Sequence, residues 1–536
     1  MHGDQEISDH FAEHFETSCS VNSKAKNLAL AQDFLKRWYN YAGDTPNDEV
    51  PFDVEMLDTI VKDLKFGKAA GMDQLSAEHI KYCHPIVISI LTKLFNLMVQ
   101  YNYVPDAFGI GLTIPLPKHD NLCKVVTSKD YRGITISPVI SKLFEHCLAC
   151  CLKTYLGSSE LQFGFKQGFG CNHAIYTVRS TIDYFVTNNS TVNLCALDLA
   201  SAFDKVNYFA LFSKLMNRNV PRQFLLTLMS WYNKVFTVVR WESCYSHRVK
   251  LTAGVRQGGV LSPLLFAVFV DDLLIKLKNS SLGCHVKGIC LNAVMFADDL
   301  LLMAISVCDL QCMVNLCLDD FENMDMKINV NKSVCIRIGE RHKADVANIV
   351  IKTQVMEWKC ELKYLGVYLL SAKVLKSNLQ SVRQKYFRAL NGLFAKVGTR
   401  SSPMVTLSLI DSFCVPLLSY GIESFNVRKA EYNYLNSAYD AAFAKIFTSY
   451  DKNIIRNCQF YCGLLPFDLR IDIKRFKFYY KLSSIQNDSV CGLYMLCGKQ
   501  EHNNLLKKHN LSMSDSIGAC VHSLWQIFSN NIQTFH

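Results

Sequence analysis

The chain has 536 residues, 50% hydrophobic and 19% charged. This composition is typical of a globular protein of roughly three or four domains, not of a disordered tail. The longest apolar runs, Ile86–Leu91 and Val260–Val270, are shorter than the roughly 20 residues that a membrane span needs. Met1–Asp9 is polar and acidic, unlike a secretory signal. We therefore expect neither a membrane protein nor a secreted one, and we expect the 22 cysteines to be reduced thiols.

Positive charge is concentrated after residue 80. The whole chain carries +10, and residues 1–80 hold 7 basic and 15 acidic residues, a net of −8, so the remainder carries +18. One stretch, residues 363–400, has eight basic residues and no acidic one: Lys363, Lys373, Lys376, Arg383, Lys385, Arg388, Lys396 and Arg400. Such a stripe on a predicted helix suits a polyphosphate backbone, although a solvated helix face has the same pattern.

The predicted elements begin with helices and a linker at Gly43–Pro51, where turn formers and acids cluster. Two strands then flank the polar loop His119–Asp130, and Pro115 and Pro117 predict that the first of them lies at a sheet edge. Helices dominate after Gly366. The expected helices are Phe11–Tyr41, Val54–Phe66, Ser76–Tyr101, Ser141–Tyr155, Leu211–Met216, Arg222–Tyr232, Ser262–Leu277 and Gln311–Asn323, and the expected strands are Leu112–Lys118, Tyr131–Ile136, Val192–Leu199, Val235–Trp241, His247–Leu251 and Ser333–Ile338. This order predicts an α+β fold, a central sheet with helices on one face followed by a helical region.

Adjacent aspartates occur three times. Asp271-Asp272 and Asp319-Asp320 stand at helical spacing, so we expect both pairs on solvated helix faces. Asp298-Asp299 instead separates two apolar strands, Ala293–Ala297 and Leu300–Ala304, which predicts a hairpin with acids at its tip. Two adjacent buried carboxylates repel each other and lose hydration, and a divalent cation would relieve both costs. Hard oxygen ligands favour magnesium or manganese.

A further carboxylate and a glycine-rich turn complete the candidate chemistry. Asp198 ends an apolar strand, but it lies 100 positions before Asp298, so their pairing is a tertiary hypothesis. Asp204 is expected to be an acid on a helix face. The stretch Gly254–Pro263 has two glycines that permit close approach of a ligand, and Gln257 offers a side-chain amide, although such turns are also common where elements simply pack.

The three motifs together are specific. They are ALDLASAFDKV, GVRQGGVLSPLLFAVFVDDLL and FADDLLLMA. In their order and spacing they resemble motifs of the reverse transcriptases of non-LTR (LINE-like) retrotransposons. Five further stretches resemble that family's flanking blocks, so the resemblance covers about residues 60–370. They are FGKAAGMDQLSAEHIKY, IPLPK, YRGITISPVISKLFEHCL, LQFGFKQGFGC and KYLGVYL. LSLIDSFCVPLLSYGIESF resembles the region after its thumb.

The resemblance implies a right-hand polymerase with fingers, a palm built on an antiparallel sheet, and a helical thumb. The expected divisions are 1–59 for an N-terminal extension and linker, 60–190 for the fingers, 191–345 for the palm with part of the fingers, 346–429 for the primer grip and thumb, and 430–536 for a helical C-terminal region. The family's proteins usually carry an endonuclease domain as well. We find no room for one before residue 60, so nicking of target DNA is not expected of this chain.

The resemblance also assigns the metal and nucleotide sites. Asp198 and Asp298 would bind two Mg²⁺ ions (Mn²⁺ is possible), with Asp299 beside them and the main-chain carbonyl of Leu199 facing a metal. For the nucleotide, it implies that Phe203 would be the steric gate that excludes a ribose 2′-hydroxyl, although a core aromatic residue is the alternative. The other residues implied at the nucleotide site are Gln257, Gly258, Lys118 and Arg132, the last two as a basic pair on the triphosphate.

The remaining implied roles concern the leaving pyrophosphate, the template and the primer. Lys332 would protonate the leaving pyrophosphate, with an ordinary surface lysine as the alternative. Lys166 is a candidate for template or nucleotide contact, and Tyr364–Val367 would form the primer grip. The basic stripe would follow the template–primer duplex, through residues that include Lys376, Arg383, Lys385 and Arg388.

The sequence therefore favours an RNA-directed DNA polymerase that uses dNTPs, an RNA template and a DNA primer or target, and that needs no membrane. A catalytically inactive RNA-binding or ribonucleoprotein protein on the same fold and a maturase of the mobile-intron type are the alternatives. The family implies a nuclear or cytoplasmic ribonucleoprotein. The Cys/His group at residues 146–151 lies on one side of a predicted apolar helix, and we expect it to pack in the core, because a zinc site would normally need a second ligand pair.

Overall fold

The computed structural model describes residues 3–45, 51–118, 127–398 and 401–532. The chain divides into two compact units. The first unit comprises residues 1–165, 198–279 and 315–329, and the second comprises residues 166–197, 280–314 and 330–536. Parts of the predicted linker Gly43–Pro51 and of the predicted loop His119–Asp130 lie outside the described residues.

The strands are numbered in chain order. They are β1 Ile110–Pro117, β2 Tyr131–Ile136, β3 Val192–Leu197, β4 Phe236–Trp241, β5 Cys244–Tyr245, β6 Val249–Lys250, β7 His285–Val286, β8 Ile289–Cys290, β9 Ala293–Phe296, β10 Asp299–Ala304, β11 Val334–Ile338, β12 Ile349–Ile351, β13 Gln354–Met356, β14 Glu361–Tyr364, β15 Val367–Leu370 and β16 Lys376–Ser377.

The helices are numbered in the same way. They are α1 Asp4–Ser18, α2 Lys24–Tyr39, α3 Val54–Asp63, α4 Ala77–Lys81, α5 Ile86–Gln100, α6 Asp106–Gly109, α7 Val139–Cys151, α8 Cys171–Thr187, α9 Tyr208–Asn217, α10 Arg222–Tyr232, α11 Ser262–Asn279, α12 Val307–Asn323, α13 Leu379–Val397, α14 Pro403–Phe413, α15 Val415–Ser419, α16 Lys429–Phe447, α17 Lys452–Tyr461, α18 Phe467–Ser483, α19 Asp488–Leu493, α20 Lys499–Lys508 and α21 Ile517–Asn530.

The first unit contains a sheet with the order β2-β1-β4-β5, in which β6 also pairs with β4. The predicted hairpin of β1 and β2 is confirmed, but the prediction that β1 is an edge strand is wrong, because β1 also pairs in parallel with β4. That parallel pairing covers only residues 110–113. Pro115 and Pro117 lie in the half of β1 that has a single neighbour, where a missing N–H group breaks no ladder.

The predicted single helix Phe11–Tyr41 is wrong, because the chain forms two helices, α1 and α2, separated by a short turn. Ser23 caps α2 by accepting a hydrogen bond from the backbone N–H of Lys26 at 3.2 Å, and this local bond favours a new helix start. On α1, Phe11 and Phe15 are buried in a cluster with Val239 and Val249 of the sheet. The N-terminal helix is therefore part of the first unit's core.

The second unit contains a four-stranded antiparallel sheet with the order β11-β3-β10-β9. Strands β3 and β10 lie inside this sheet, and nearly all their side chains are buried, which explains their almost continuous apolar sequences. The α+β class and the antiparallel sheet are thus confirmed, and the assignment of this sheet as a palm stays a prediction. The single central sheet is not confirmed, because this sheet and that of the first unit are separate.

The C-terminal part of the second unit is helical, as predicted. Helices α13, α14, α16 and α18 share a core that includes Tyr386, Leu407, Tyr439 and Phe443. Among the described residues, Pro403–Ser424 is the one stretch that is long and apolar enough to cross a membrane, although no apolar run in the sequence analysis reached that length. Half of it is buried inside the structure.

Two of the aspartate pairs differ from the prediction of solvated helix faces. Asp271 is 3% exposed, and it accepts hydrogen bonds from the backbone N–H of Ser159 at 2.5 Å and from Arg218 at 2.6 Å. Asp320 is also buried and forms an ion pair with Lys276. Helical spacing shows which residues share a face but not which partner covers that face, so the prediction is wrong for both residues.

Candidate active site

The hairpin with acids at its tip is confirmed. Phe296 of β9 pairs with Asp299 of β10, so Ala297 and Asp298 are the two turn residues. Ala297 has φ +58°, a conformation that two-residue hairpin turns require and that usually selects glycine or asparagine. Asp298 is half-buried and Asp299 is exposed. Two adjacent carboxylates on a tight, accessible turn form an oxygen donor set that fits a hard divalent cation.

The sheet register places the end of β3 at the same edge as this hairpin. Leu197 pairs with Leu300, which directly follows Asp299, and Asp198 is the residue after Leu197. The backbone beyond β3 is held on both sides: the carbonyl of Asp198 accepts a hydrogen bond from the N–H of Asn329 at 2.8 Å, and the N–H of Ala200 donates to Lys327 at 3.0 Å.

The metal site itself stays a prediction. Asp198 belongs to the first unit, whereas Asp298 and Asp299 belong to the second. Within the described ranges, no three His, Cys, Asp or Glu side chains form a ready-made metal cluster. Leu199 is buried and bridges to Ile328, and the predicted role of its carbonyl is likewise untested. Cys147 of the 146–151 group is fully buried, as expected for core packing, and burial raises the pKa of its thiol to about 12. Cys150 is exposed on the same helix, so the prediction of core packing is wrong for that residue.

Lys332 lies near the same sheet edge. Strand β11 begins at Val334 opposite Ala196, so Lys332 precedes it at the level where β3 ends. The side chain is exposed. This placement is compatible with the predicted role as a proton donor, which stays a prediction.

Phe203 is half-buried and lies in a short 3₁₀ turn, Ala202–Lys205. One face of its ring stacks on Phe266 of α11, with ring centroids 4.5 Å apart. Its edge contacts Phe165 with centroids 5.9 Å apart. The ring is therefore held in one position while part of it stays accessible, as a steric gate requires, and the gate role stays a prediction.

The turn that carries Gln257 and Gly258 packs against β2. The N–H of Thr135 donates to the carbonyl of Gln257 at 2.9 Å. Gly258 has φ +126°, and a Cβ at this position would lie 2.3 Å from the carbonyl oxygen of Thr135. Only glycine combines this backbone conformation with such close packing, so the close approach expected here is to the protein's own strand.

Sequence reasoning missed the role of Asp204, which was expected to be an acid on a helix face. Its carboxylate accepts a hydrogen bond from the side-chain amide of Gln257 at 3.0 Å. The two residues are 53 positions apart, and no local pattern indicates that they are in contact.

Lys118 and Arg132 extend from the hairpin of β1 and β2. Arg132 pairs in register with Leu116, and Lys118 follows β1 and donates its backbone N–H to Asp130 at 2.7 Å. Both side chains are exposed. The ammonium group of Lys118 donates to the carbonyl of Lys129 at 2.5 Å. The hairpin thus presents two cations near the end where the loop joins β1 and β2, as the triphosphate role predicts.

The comparison with known families identifies what the stretch around this site is similar to. The family model for reverse transcriptase (RNA-dependent DNA polymerase) matches residues 116–369, a range that includes the hairpin carboxylates and the Gln257 turn. Residues 116–369 are therefore similar to reverse transcriptase domains, and the predicted resemblance to reverse transcriptases is confirmed.

Curated relatives of the chain are named as RNA-directed DNA polymerases of mobile elements, which confirms the resemblance to non-LTR retrotransposon enzymes. The chain is 27% identical over 348 residues to the RNA-directed DNA polymerase from mobile element jockey of Drosophila funebris, covering 63% of this chain and 37% of that protein. It is 25% identical over 390 residues to the probable RNA-directed DNA polymerase from transposon X-element of Drosophila melanogaster, covering 70% of this chain and 41% of that protein. The chain thus spans about two fifths of the length of these relatives.

Among solved structures, apo telomerase from Candida tropicalis aligns with 79% of this chain and 74% of its own chain, at 12% identity and a TM-score of 0.40.

The predicted primer grip of the reverse transcriptase domain is the turn between β14 and β15. Tyr364 donates a hydrogen bond to the carbonyl of Val294 in β9 at 3.3 Å, which ties the grip to the carboxylate hairpin. Burial and the nearby Asp299 carboxylate raise the pKa of Tyr364 well above its ordinary value. Tyr420, which sequence reasoning missed, donates to the carbonyl of Leu365 in the turn at 3.0 Å.

The basic stripe does not lie on a single helix, so that prediction is wrong. Helix α13 begins at Leu379, and Lys376 lies before it on β16. Arg383 lies over the ring of Tyr434 at 4.6 Å and is turned toward α16. Lys385 and Arg388 are exposed on α13. The alternation of strand and helix distributes the positive charges over several surfaces.

The other positions of the stripe also differ from one another. Lys373 forms an ion pair with Glu340 at 2.9 Å. Arg400 lies outside the described residues. Lys166, ahead of the stripe in the chain, is half-buried just before α8. The nucleic-acid contacts assigned to these basic residues stay predictions.

Proposed function

We propose that this chain is an RNA-directed DNA polymerase that extends a DNA primer along an RNA template with dNTPs. The observation that carries the proposal is the Asp298-Asp299 hairpin tip at the sheet edge where β3 ends, inside a reverse transcriptase domain. The buried strands on both sides fix the hairpin, so its carboxylates are positioned by the sheet.

The cations in this proposal would be held by Asp198 and Asp298, with Asp299 beside them. Two Mg²⁺ ions bound there would activate the primer 3′-hydroxyl and neutralise charge on the triphosphate. Manganese has the same preference for oxygen ligands and would serve in its place.

The chain's own side chains would perform the other tasks. Lys118 and Arg132 would bind the triphosphate through charge-assisted hydrogen bonds. Phe203 would exclude ribonucleotides, and Lys332 would deliver a proton to the pyrophosphate as it leaves. The turn around Leu365, held by Tyr420, would position the primer end.

Primer extension tests the proposal. The unsubstituted chain, Asp298→Asn and Asp319→Asn are compared on an RNA template with dNTPs and magnesium, and duplex binding is measured in parallel. Asp319→Asn is the matched control, because it changes an exposed member of another aspartate pair. DNA product is expected from the unsubstituted chain and the control only, with duplex binding retained by all three.

Two outcomes would contradict the proposal. Normal extension by Asp298→Asn would show that this hairpin does not bind the catalytic ions. Tight RNA binding without extension by the unsubstituted chain would instead favour an inactive RNA-binding protein. For the cell, the proposal places the protein in a ribonucleoprotein in the nucleus or cytoplasm, which cell fractionation with RNA co-purification would test.

A further inference from the structure

The hydrogen bond between Gln257 and Asp204 fixes the direction of an amide in the first unit. The side-chain nitrogen of Gln257 donates to a carboxylate oxygen of Asp204 at 3.0 Å. An ionised carboxylate can only accept hydrogen bonds, so it selects the NH₂ end of the amide and turns the carbonyl oxygen away. Within the described residues, the side chain of Gln257 makes no second hydrogen bond.

We propose that Asp204 is a positioning residue that holds Gln257 with its carbonyl oxygen available to accept a hydrogen bond from a sugar hydroxyl of the polymerase substrates. This inference rests on the proposed function. It assigns Asp204 no contact with the reacting atoms, because its effect passes through Gln257.

The backbone of Gln257 is fixed as firmly as its side chain. Its carbonyl accepts from Thr135 on β2, and Gly258 packs directly on the same residue. Thr135 is three positions after Arg132, the predicted triphosphate-binding residue. The backbone from which the Gln257 side chain extends is therefore fixed beside β2, the strand that carries Arg132.

Asp204 is held in its turn by neighbouring elements. Its backbone packs on Gly254, where a Cβ would lie 2.7 Å from the carbonyl oxygen of Asp204. The next residue, Lys205, donates to the carbonyl of Ser20 at 2.8 Å, just after α1. Burial and the Asp204 carboxylate raise the pKa of the Cys19 thiol well above its ordinary value, which keeps that neighbour uncharged. The carboxylate thus has little freedom to leave the amide.

The position of the amide points to a sugar as the group it would recognise. The N–H of Val255 donates to the carbonyl of Phe203 at 2.8 Å, which ties the Gln257 turn to the predicted steric gate. The gate would pack against the sugar of the incoming nucleotide, so the donors nearest to the amide are sugar hydroxyls. The two sources are the 3′-hydroxyl of the incoming nucleotide and a 2′-hydroxyl of the RNA template.

A double-mutant cycle tests the proposal. Steady-state kcat and KM for dNTPs are measured in primer extension for Asp204→Ala, Gln257→Ala and the double variant, with Asp33→Ala as an exposed control on α2. Because a hydrogen bond to a charged group is lost, each single variant should raise KM about 10-fold with a smaller change in kcat. The double variant should be no worse than either single variant, since both remove the same acceptor.

A polarity swap separates positioning from folding. Gln257→Glu alone would place two carboxylates in contact and should raise KM, whereas Asp204→Asn combined with Gln257→Glu restores a donor–acceptor pair and presents an oxygen acceptor again. We expect the swapped pair to recover part of the affinity for dNTPs. Thermal unfolding midpoints of all variants show whether they are folded.

The two sources of the hydroxyl are distinguished by the substrate. If the hydroxyl is the 3′-hydroxyl of the nucleotide, Asp204→Ala and the unsubstituted chain should have equal KM values for dideoxynucleotides. If the hydroxyl is a 2′-hydroxyl of the template, the two proteins should have equal KM values for dNTPs on a DNA template. Persistence of the full loss on both substrates would overturn the sugar assignment.

Additive effects of the two single variants, or an unchanged KM in a folded Asp204→Ala protein, would overturn the positioning role while the polymerase assignment stands. Absence of incorporation by the unsubstituted chain would overturn both proposals.

Discussion

Substitution of Gly258 by alanine should damage the nucleotide site more than any comparable change in an exposed glycine. The residue has φ +126°, and the added Cβ would lie 2.3 Å from the carbonyl oxygen of Thr135. The backbone strain alone costs about 1–3 kcal/mol. An ordinary contact distance is about 3.5 Å, so the turn must also move by roughly 1 Å. Strand β2 is paired with β1 and cannot easily yield.

A displacement of this size would move Gln257 away from its partners. Misplacement of a substrate-positioning group by 1 Å can cost about 100-fold in rate, so kcat/KM for dNTPs should fall by about that factor. The assay is single-nucleotide primer extension together with a thermal unfolding midpoint. Gly157→Ala is the control, because no atom lies within 4 Å of its added Cβ. Equal kcat/KM and equal midpoints for the two variants would refute the reasoning.

Two further predictions concern one contact in each unit. Arg218→Met leaves the buried Asp271 carboxylate without its cation and should cost about 3 kcal/mol of stability at neutral pH. Burial raises the pKa of Asp271 in the folded protein, and loss of Arg218 raises it further. The folded variant therefore takes up a proton more readily than the unfolded chain. Its unfolding midpoint should be furthest below that of the unsubstituted chain when the pH is above the pKa of Asp271, and the difference should narrow as the pH falls toward that pKa. A difference that does not depend on pH would contradict this prediction. Tyr420→Phe removes the hydrogen bond to Leu365, which is worth about 1 kcal/mol. It should shorten the products made per binding event in a primer-trap assay, and substitution of an exposed tyrosine is the control. Unchanged product length would contradict this prediction.

Local patterns predicted the parts of the site that are built from neighbouring residues. Two apolar runs interrupted by Asp298-Asp299 can form little else than a buried hairpin with acids at its turn. The order and spacing of three motifs indicated the resemblance to reverse transcriptases, because chance matches in register are rare. The strand that carries Arg132 and the strand that ends just before Lys118 were also predicted, since runs of β-branched residues bounded by turn formers mark strands.

Errors arose where a partner distant in the chain changed the environment of a correctly recognised element. Asp271 was correctly placed on a helix, but Arg218 and Ser159 cover it. Pro115 was correctly placed in a strand, but β4 lies beside the other half of that strand. Periodicity describes one element alone, so it cannot reveal which surface another element will cover.

The sequence by itself determined the family, the α+β class and the identity of the acids at the hairpin tip, because these depend on residue type and on spacing within short segments. Only the tertiary structure decided that Gln257 is bound to Asp204 and to Thr135, and that Tyr364 ties the primer grip to β9. These contacts join residues 53 or more positions apart. Their existence depends on how packed strands and turns bring backbone and side-chain groups within hydrogen-bond distance, which no local pattern specifies.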